Sequence, residues 1–352
     1  MKVLYLTKYS RLGASSRMRS FQYFPYLEQQ GMAVTVKPLF NDEYLHALYT
    51  GNRPSRFVLQ AYLKRLITLF TVFSYDKVII EKELFPYFPA FFEWLLTCLG
   101  LRYIVDYDDA IFHNYDQHPN QLIKGLLKNK IDSVMRYSRA VVAGNKYLAE
   151  RAAKAGAKNV HIIPTVIDLD RYPTTKQHSP AQPVIIGWIG TRSTFEKHFA
   201  GIRPIIQKIL QSYSVVFHVI GGTVDLGLGD RVKYLPWSED KEVSAILDFD
   251  IGIMPLQNSL FEKGKCAYKL VQYMACGLPV IASPVGVNAD IVHQDVNGYL
   301  ANDEDDWLRA IGKYVNDVDL RSKHGLAGRE MVEKSLCLQA TRQDIYQIIL
   351  NN

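Results

Sequence analysis

Three acidic side chains cluster at the end of one predicted strand. The segment RYIVDYDDAIF brings Asp106, Asp108 and Asp109 to that point. In open α/β sheets ligands bind beyond the carboxyl ends of the strands, so chemistry is expected at this edge. The acids can hold a divalent metal against phosphates, bind an acceptor hydroxyl, or cap a helix. Because Asp108 and Asp109 are adjacent, at most one points along a chosen face if the strand continues through them.

A second candidate site follows the first predicted strand. There KYSRLGASSRMRS contains the small residues Gly13 and Ala14, and Ser15 or Ser16 is placed to cap a helix that opens with two arginines. Small residues let backbone N–H groups approach a phosphate, and a helix N-terminus adds a favourable dipole. The segment predicts an anion-binding loop, with an ordinary capped helix and solvated arginines as the alternative.

The segment GWIGTRSTFEKHF is a third candidate, directly after another predicted strand. Gly190 makes the turn, Thr191 or Ser193 caps the next helix, and Arg192 and Lys197 supply positive charge. These features favour a diphosphate site. A dinucleotide-binding loop is the weaker alternative, because the pattern G-x-G-x-x-G is not present.

The densest group of candidates lies in FEKGKCAYKLVQYMACGLPVIASPVGVNADIV. A helix is predicted from about Ala267 to Cys276, with Gly277 as its left-handed stop. The N–H groups of Cys266 and Ala267 at its start are placed to bind a phosphate.

Two polar side chains on that helix interrupt its apolar side. Lys269 can add positive charge at the phosphate, and Gln272 can reach a ribose hydroxyl. A helix that only packs accounts for the apolar residues around them, but not for these two.

The candidate residues are embedded in an alternation of strands and helices. Five apolar, β-rich runs precede a proline-rich stretch at 164–183: KVLYLT, AVTVKPLF, KVIIEKE, YIVDYDD and AVVAGN. Five more follow it: VIIGWIG, VVFHVIGG, VKYLPW, DIGIMPL and LPVIAS. Such runs with helix-length gaps are typical of parallel sheets buried on both faces. The sequence predicts an α/β protein of two Rossmann-like domains, residues 1–168 and 169–337.

Net charge and hydropathy limit which partners and which location can be expected. The first 168 residues carry 22 Lys and Arg against 14 Asp and Glu, a net charge of +8, and the remainder carries −2. This basic part suits an anionic membrane surface, and residues 53–65 (RPSRFVLQAYLKR), followed by LITLF, resemble an interfacial helix. A helix with its apolar side in the core is the alternative. No apolar run reaches the roughly 18 to 20 residues of a membrane span, so a cytoplasmic protein is expected.

The stretch QYMACGLPVIASPVG resembles the signature of the family 4 retaining glycosyltransferases, whose GT-B fold has two facing Rossmann-like domains. GASSRMR resembles that family's glycine-rich loop and GWIGT its phosphate loop, so the resemblance covers nearly the whole chain. It implies a nucleoside-diphosphate-sugar as donor. The diphosphate contacts that it implies are Gly13 or Ala14, Thr191, Arg192, the Cys266–Ala267 backbone, and Lys197 or Lys269.

The chain departs from the family pattern at one point. The family usually carries two glutamates separated by seven residues, the first at the donor sugar and the second at the ribose. The matching positions here are Gly264 and Gln272. Gln272 can still bond a ribose, but the sugar-facing carboxylate is missing, and a reshaped loop would bring in Glu262 as its replacement.

The family also places a His-Asp pair on the acceptor side, where this chain has Asp108 and Asp109. Because the family needs no metal, the resemblance favours acceptor orientation by these acids over magnesium binding, and it implies no further cofactor. DYDDAIF strings resemble a subgroup associated with bacterial surface polysaccharides. This implies a lipid-linked or oligosaccharide acceptor rather than nucleic acid, and a location on the inner face of the cell membrane. In proteins of this fold the last helix, here 338–350, packs back onto the first domain.

Two other functions fit the same fold. A nucleotide-sugar epimerase or a phosphorylase can use the same architecture. A catalytically inactive nucleotide-sugar-binding partner of a true transferase is the other alternative, and the missing glutamate is its main support.

Overall fold

The computed structural model describes residues 1–49, 55–222 and 224–352. They form two compact units. Unit 1 contains Met1–Thr165, Gly264–Cys266 and Thr341–Asn352, and unit 2 contains Val166–Lys263 and Ala267–Ala340. Along the chain the change from one unit to the other therefore falls at residues 165 and 166, next to the start of the proline-rich stretch.

Unit 1 is built on a six-stranded parallel sheet with the strand order β2-β1-β3-β4-β5-β6. The central strands are apolar and buried on both faces, as a sheet covered by crossover helices requires. The strands are β1 (Lys2–Leu6), β2 (Ala33–Val36), β3 (Lys77–Glu81), β4 (Tyr103–Tyr107), β5 (Ala140–Ala143) and β6 (Val160–Ile162).

Helices connect these strands, and several of them pack against the sheet in a large apolar cluster, beside a smaller one. The helices are α1 (Ala14–Arg19), α2 (Phe24–Gln29), α3 (Asp42–Tyr49), α4 (Ser55–Leu69), α5 (Phe91–Cys98), α6 (His113–Asp116), α7 (Gln121–Leu127), α8 (Lys130–Tyr137) and α9 (Lys146–Lys154). The first two residues of the predicted interfacial segment, Arg53 and Pro54, lie outside the described residues.

Unit 2 repeats the architecture with the strand order β12-β11-β10-β7-β8-β9, again all parallel. Its strands are β7 (Val184–Ile189), β8 (Val215–Ile220), β9 (Val232–Leu235), β10 (Ile251–Met254), β11 (Val280–Ala282) and β12 (Gly298–Leu300). Two apolar clusters form the core of this unit. The predicted α/β class with two parallel sheets is confirmed.

The helices of the second half begin with a short turn that continues into a π-helical turn, Phe195–Phe199. They are α10 (Arg192–Thr194), α11 (Arg203–Ser212), α12 (Glu242–Leu247), α13 (Leu260–Lys263), α14 (Tyr268–Ala275), α15 (Val287–Ile291), α16 (Glu304–Asn316), α17 (Val318–Ser335) and α18 (Leu338–Asn351). Within residues 1–49, 55–222 and 224–352, no helix combines the length and apolar character that crossing a membrane requires.

The last helix, α18, leaves unit 2 after Ala340 and packs in unit 1 from Thr341 onward. The Tyr23 hydroxyl lies 3.1 Å from Thr341 Oγ1, and Lys77 Nζ donates to the Leu350 carbonyl at 3.2 Å. The end of the chain is therefore part of the core structure of unit 1.

Candidate functional site

A buried lysine holds the two adjacent carboxylates at the end of β4. Lys82 follows β3 directly, and its φ of +67° is unusual for a residue with a side chain. Its Nζ lies 2.8 Å from Asp108 Oδ1 and 3.9 Å from Asp109 Oδ2. Because β4 ends at Tyr107, the chain turns before these two acids, so both reach one ammonium group.

The two serines of α1 complete this cluster. Lys82 Nζ donates to Ser15 Oγ at 3.0 Å, and the Ser15 hydroxyl donates to Asp108 Oδ2 at 2.6 Å. Ser16 Oγ donates to Glu81 Oε2 at 2.6 Å. The prediction that a serine caps this helix is wrong: the N-cap residue is Gly13, with no side-chain cap bond, because Asp108 and Glu81 engage the two hydroxyls.

Glycine and alanine are suited to the start of α1. A Cβ on Gly13 would lie 2.4 Å from Tyr9 Cβ, so no larger residue fits there. Ala14 is the first residue of the helix and brings Ser15 to the lysine. The alternative of solvated arginines in this helix is wrong, because Arg17 and Arg19 are both buried.

The electrostatics of the cluster keep Asp108 ionised. Burial alone would raise the pKa of Asp108, but the Lys82 ammonium and the hydrogen bonds from Lys82 and Ser15 outweigh it and lower the pKa to about 2. The same contacts raise the pKa of Lys82 against the opposing effect of its burial. A fixed anion and a fixed cation therefore lie side by side at the carboxyl edge of the sheet.

The third acid of the predicted trio belongs to a different contact. Asp106 faces Arg19, which donates Nε to Oδ2 at 2.9 Å and Nη2 to Oδ1 at 2.5 Å. The three acids therefore do not share one cation: Asp106 lies within β4 and pairs with Arg19, whereas Asp108 and Asp109 follow the end of the strand and pair with Lys82. In the described part of the chain, no three His, Cys, Asp or Glu residues come together as metal ligands would.

Residues 264–266 lie against the ends of β4 and β5 within unit 1. Asn145 Nδ2 donates to the carbonyls of Gly264 and Lys265 at 2.9 and 3.1 Å, and Cys266 Sγ donates to the Asp108 carbonyl at 3.0 Å. A Cβ on Gly264 would lie 2.4 Å from Ala110 Cβ and 2.7 Å from its backbone nitrogen. A side chain at 264, such as the glutamate of the family pattern, does not fit in this packing.

In unit 2, the loop after β7 carries three of the predicted donor-binding residues. A Cβ on Gly190 would lie 2.5 Å from the Trp188 ring, so this turn requires glycine. Thr191 is the N-cap residue of α10, but its hydroxyl contacts the hydroxyls of Ser193 and Thr194 rather than a backbone N–H. The Arg192 side chain is 62% exposed and pairs with Glu196 at 2.9 Å, so it is open to an anionic ligand.

The π-helical turn places a second cation against a buried carboxylate. Lys197 Nζ lies 2.7 Å from Glu262 Oε1, and His198 Nε2 lies 3.4 Å from the same oxygen. Ser259 Oγ donates to the other oxygen of Glu262. The Glu262 side chain is 1% exposed while Lys197 is 48% exposed. Glu262, expected as the replacement sugar-facing carboxylate, is thus enclosed and pairs with Lys197, whose side chain is half exposed.

Helix α14 begins beside the same loop. It starts at Tyr268, one residue later than predicted, and Ala267 is its N-cap residue with a left-handed φ of +51°. Lys269 Nζ lies 4.9 Å from the centre of the Trp188 ring, and the Tyr273 hydroxyl accepts the Ile189 N–H at 3.0 Å. These contacts bring α14 to the end of β7, so Lys269 and the Gly190–Arg192 turn share one edge of the sheet.

Gln272 is directed away from solvent. It is 2% exposed, and its Nε2 donates to the Tyr172 hydroxyl at 3.3 Å. A ribose contact by this side chain would have to replace that hydrogen bond. The predicted stop after the helix is confirmed, since Gly277 has a φ of +73°.

The structure therefore sorts the predicted residues into two groups. Unit 1 brings together Gly13, Ala14, Asp108, Asp109 and Cys266, and unit 2 brings together Gly190, Thr191, Arg192, Lys197, Glu262, Ala267 and Lys269. The residue that the sequence analysis missed is Lys82. Its signal was the charged triplet EKE at the end of the buried run KVII, because charges at a strand end lie where ligands bind.

Comparison with known proteins assigns these features to a family over part of the chain. Residues 183–317, less than half of the chain, match the family model "Glycosyl transferases group 1". D-inositol 3-phosphate glycosyltransferase from Salinispora tropica is 32% identical over 108 residues, which are 30% of this chain and 21% of that protein. The match thus spans about a fifth of the length of this relative.

Two solved structures share the fold over the whole chain. Sucrose-phosphate synthase from Thermosynechococcus elongatus superposes with a TM-score of 0.72 at 13% identity, covering 99% of this chain and 98% of that one. Anabaena HepE in complex with UDP and glucose superposes with a TM-score of 0.70 at 16% identity, covering 100% of both chains. Residues 183–317 therefore match the group 1 glycosyltransferases, and the chain as a whole has the GT-B fold.

Proposed function

We propose that this protein is a retaining, metal-independent glycosyltransferase that moves a sugar from a nucleoside-diphosphate-sugar to a lipid-linked or oligosaccharide acceptor in polysaccharide synthesis. The observation that carries the proposal is the overlap of two independent features. The family match covers residues 183–317, and the same segment gathers three cations, Arg192, Lys197 and Lys269, around the end of β7.

This arrangement suits a diphosphate leaving group. When the sugar departs, negative charge accumulates on the leaving phosphate oxygens. Arg192 and Lys269, with the first N–H groups of α14 and of the turn after Thr191, are placed to stabilise that charge. In comparable oxyanion sites the loss of one such donor costs about 2.7 to 4 kcal/mol of barrier. Glu262 acts as a positioning residue, because it fixes the ammonium of Lys197.

The acceptor side is proposed to use Asp109, with Asp108 in a supporting role. Lys82 pairs with Asp108 and keeps it ionised, whereas the Asp109 side chain is 30% exposed and lies 3.9 Å from the same ammonium. Asp109 is therefore the carboxylate available to accept a hydrogen bond from an acceptor hydroxyl. The Lys82 ammonium takes the place between the two carboxylates that a divalent ion would otherwise occupy, which supports a mechanism without metal at this position.

Retention of configuration is proposed to need no protein nucleophile. The acceptor hydroxyl attacks from the side of the leaving group and passes its proton to the departing phosphate. Of the acids near the predicted sites, Glu262 is enclosed by Lys197, His198 and Ser259, and Asp108 by Lys82 and Ser15. Detection of a covalent sugar on either carboxylate would overturn this part of the proposal.

A phosphorylated small-molecule acceptor is the second candidate. It is favoured by the name of the Salinispora tropica relative, D-inositol 3-phosphate glycosyltransferase, although the match covers only about a fifth of that protein. The acceptor panel of the test therefore includes inositol phosphate and fructose phosphate beside lipid-linked and free oligosaccharides.

The test begins with thermal stability of the purified protein against UDP, GDP, ADP, CMP and their sugars, with and without magnesium. A ligand at about 100 times its dissociation constant adds roughly 2.7 kcal/mol of stability. We expect one nucleoside diphosphate to stabilise the protein without metal, and Arg192→Ala and Lys269→Ala to remove the effect. Lys233→Ala, an exposed lysine of β9, is the matched control.

Transfer assays with the identified donor then separate the rival functions. Sugar transfer to one acceptor class supports the transferase. Conversion of the donor without any acceptor indicates an epimerase, phosphate-dependent cleavage indicates a phosphorylase, and binding without turnover over the whole panel indicates an inactive binding protein.

A further inference from the structure

The outer face of unit 1 carries an unusual number of exposed apolar side chains. On α4 the buried positions Ala61 and Leu69 face the core, while Leu59, Leu63 and Ile67 repeat every four residues on the opposite side and are exposed. Phe70, just after the helix, is 82% exposed. Helix α4 therefore has an apolar face towards the core and a second apolar face towards solvent.

Two further helices of unit 1 also carry exposed apolar side chains. Phe91 and Trp94 on α5 are each more than 40% exposed, and Leu122 and Leu126 on α7 are 77% and 80% exposed. We call the outward faces of these three helices the α4–α5–α7 surface. Its apolar members are Leu59, Leu63, Ile67, Phe70, Phe91, Trp94, Leu122 and Leu126.

Contacts link the segments that carry this surface. The Tyr62 hydroxyl of α4 donates to the Pro86 carbonyl, and the Tyr62 and Phe85 rings pack 5.3 Å apart. Tyr87, which follows Pro86 in the chain, packs on His118 with ring centres 6.1 Å apart. His118 lies shortly before α7. The chain leading into α5 thus joins α4 on one side and α7 on the other.

The charge of these segments has one sign. The sequence contains no Asp or Glu in residues 55–75 or 117–131, and the only acid from 84 to 105 is the buried Glu93. Lys64, Lys124 and Lys128 lie among the apolar residues, and Lys64 lines a groove with Lys37 and Arg65 beside Ile67. Apolar residues bordered by lysines, with no exposed acid among them, match an anionic lipid surface.

We propose that the α4–α5–α7 surface of unit 1 docks on an anionic lipid bilayer, with its leucines, phenylalanines and tryptophan at the acyl boundary and its lysines at the lipid phosphates. Tryptophan suits this depth, since its ring is apolar and its N–H stays at the headgroups. This docking depends on the proposed function in one respect only, because its purpose is to bring the protein to a lipid-linked acceptor.

The first test is co-sedimentation of the full chain with vesicles of phosphatidylcholine alone or with 30% phosphatidylglycerol. We expect binding to the anionic vesicles that weakens as salt is raised, because salt screens the lysines. The triple variant Leu63→Ser/Ile67→Ser/Phe70→Ser should bind at least roughly tenfold more weakly. The matched control is Leu260→Ser/Val296→Ser/Leu326→Ser, which alters exposed apolar residues of unit 2 and should bind as the parent protein does.

Charge reversal provides an independent variant. Each lysine near an anionic membrane is worth about fivefold in binding, so Lys64→Glu/Lys124→Glu/Lys128→Glu should lose binding to anionic vesicles. Lys233→Glu/Lys241→Glu/Lys334→Glu is the control in unit 2. Equal binding by parent and variants would overturn the proposal, as would a dimer that these variants dissociate, because the surface would then join two copies of the chain. Thermal stabilisation by the nucleotide is measured for each variant as well. This measurement tests the proposed function independently of vesicle binding, so failure of one proposal is distinguished from failure of the other.

Discussion

At the scale of single residues, the contact with Lys82 decides the ionisation state of Asp108. A buried carboxylate left without its cation takes up a proton, since burial penalises the charged form. In the variant Lys82→Met we therefore expect the pKa of Asp108 to rise from about 2 to above its ordinary value near 3.9. Carboxyl ¹³C chemical shifts followed through a pH titration measure it, and Lys2→Met, which alters an exposed lysine, is the control. An unchanged Asp108 titration would contradict the assigned role of Lys82.

The contact between Lys82 and Asp108 also predicts how the free energy of unfolding depends on pH. The pKa of Asp108 is lower in the folded protein than in the unfolded chain, so its contribution is fully present above about pH 4 and is lost as pH falls through about 2. Its size is on the order of 2 to 3 kcal/mol. Urea unfolding of the parent protein between pH 2 and 5 should show this loss. In Lys82→Met the increase of the unfolding free energy with pH over the same range should be absent or reversed.

Gly264 offers a second test at this scale, because its packing leaves no room for a side chain. Adding one methyl group at Gly264 places a Cβ 2.4 Å from Ala110 Cβ, and overpacking of this kind costs about 1 to 3 kcal/mol. Gly264→Ala should therefore lower the free energy of unfolding. Gly125→Ala, in open space on α7, should be neutral or stabilising by up to about 1 kcal/mol because alanine favours helix. Equal effects of the two substitutions would argue against tight packing at 264.

At the scale of elements, the sequence predicted all eight central strands but only two of the four edge strands. Central strands of a parallel sheet are apolar on both faces, so they stand out as apolar runs. The edge strands β2 and β9 were also predicted from such runs. The two missed strands, β6 (Val160–Ile162) and β12 (Gly298–Leu300), are edge strands of three residues each. A strand this short that pairs on one side only shows little of the pattern that marks a central strand.

The site was predictable where near neighbours in the chain dictate the residue type, and less so where distant side chains decide. Glycine at position 190 follows from the close approach of the Trp188 ring, and the stop at Gly277 from its positive φ. The partners of Gln272, Glu262 and Lys82 are distant in sequence, at Tyr172, Lys197 and Asp108. No local pattern specifies such pairs. Gln272 and Glu262 were therefore expected to face the ligand although the fold encloses them, and Lys82 was missed.

The C-terminal helix provides a prediction about an element. Residues 341–352 belong to unit 1, where Thr341 and Leu350 bond to Tyr23 and Lys77. A chain ending at Ala340 should therefore expose β3 and the segment between α1 and α2 to faster hydrogen exchange. Peptides from β8 in unit 2 serve as the internal control and should exchange as in the full chain. Equal acceleration in β3 and β8 would show that the helix stabilises both units rather than unit 1.

At the scale of the whole molecule, two separate cores imply two units of stability. Each sheet has its own apolar clusters, and separate cores open with separate free energies. The cations proposed to bind the donor diphosphate, Arg192, Lys197 and Lys269, belong to unit 2. A nucleoside diphosphate at about 100 times its dissociation constant should therefore raise the opening free energy of β8 by roughly 2.7 kcal/mol and that of β4 by clearly less. Native-state hydrogen exchange measures both, with Arg192→Ala as the control that should lose the increment. The same increment in β4 and β8 would mean that the two units open as one, and no increment in either would remove the basis for the donor site in unit 2.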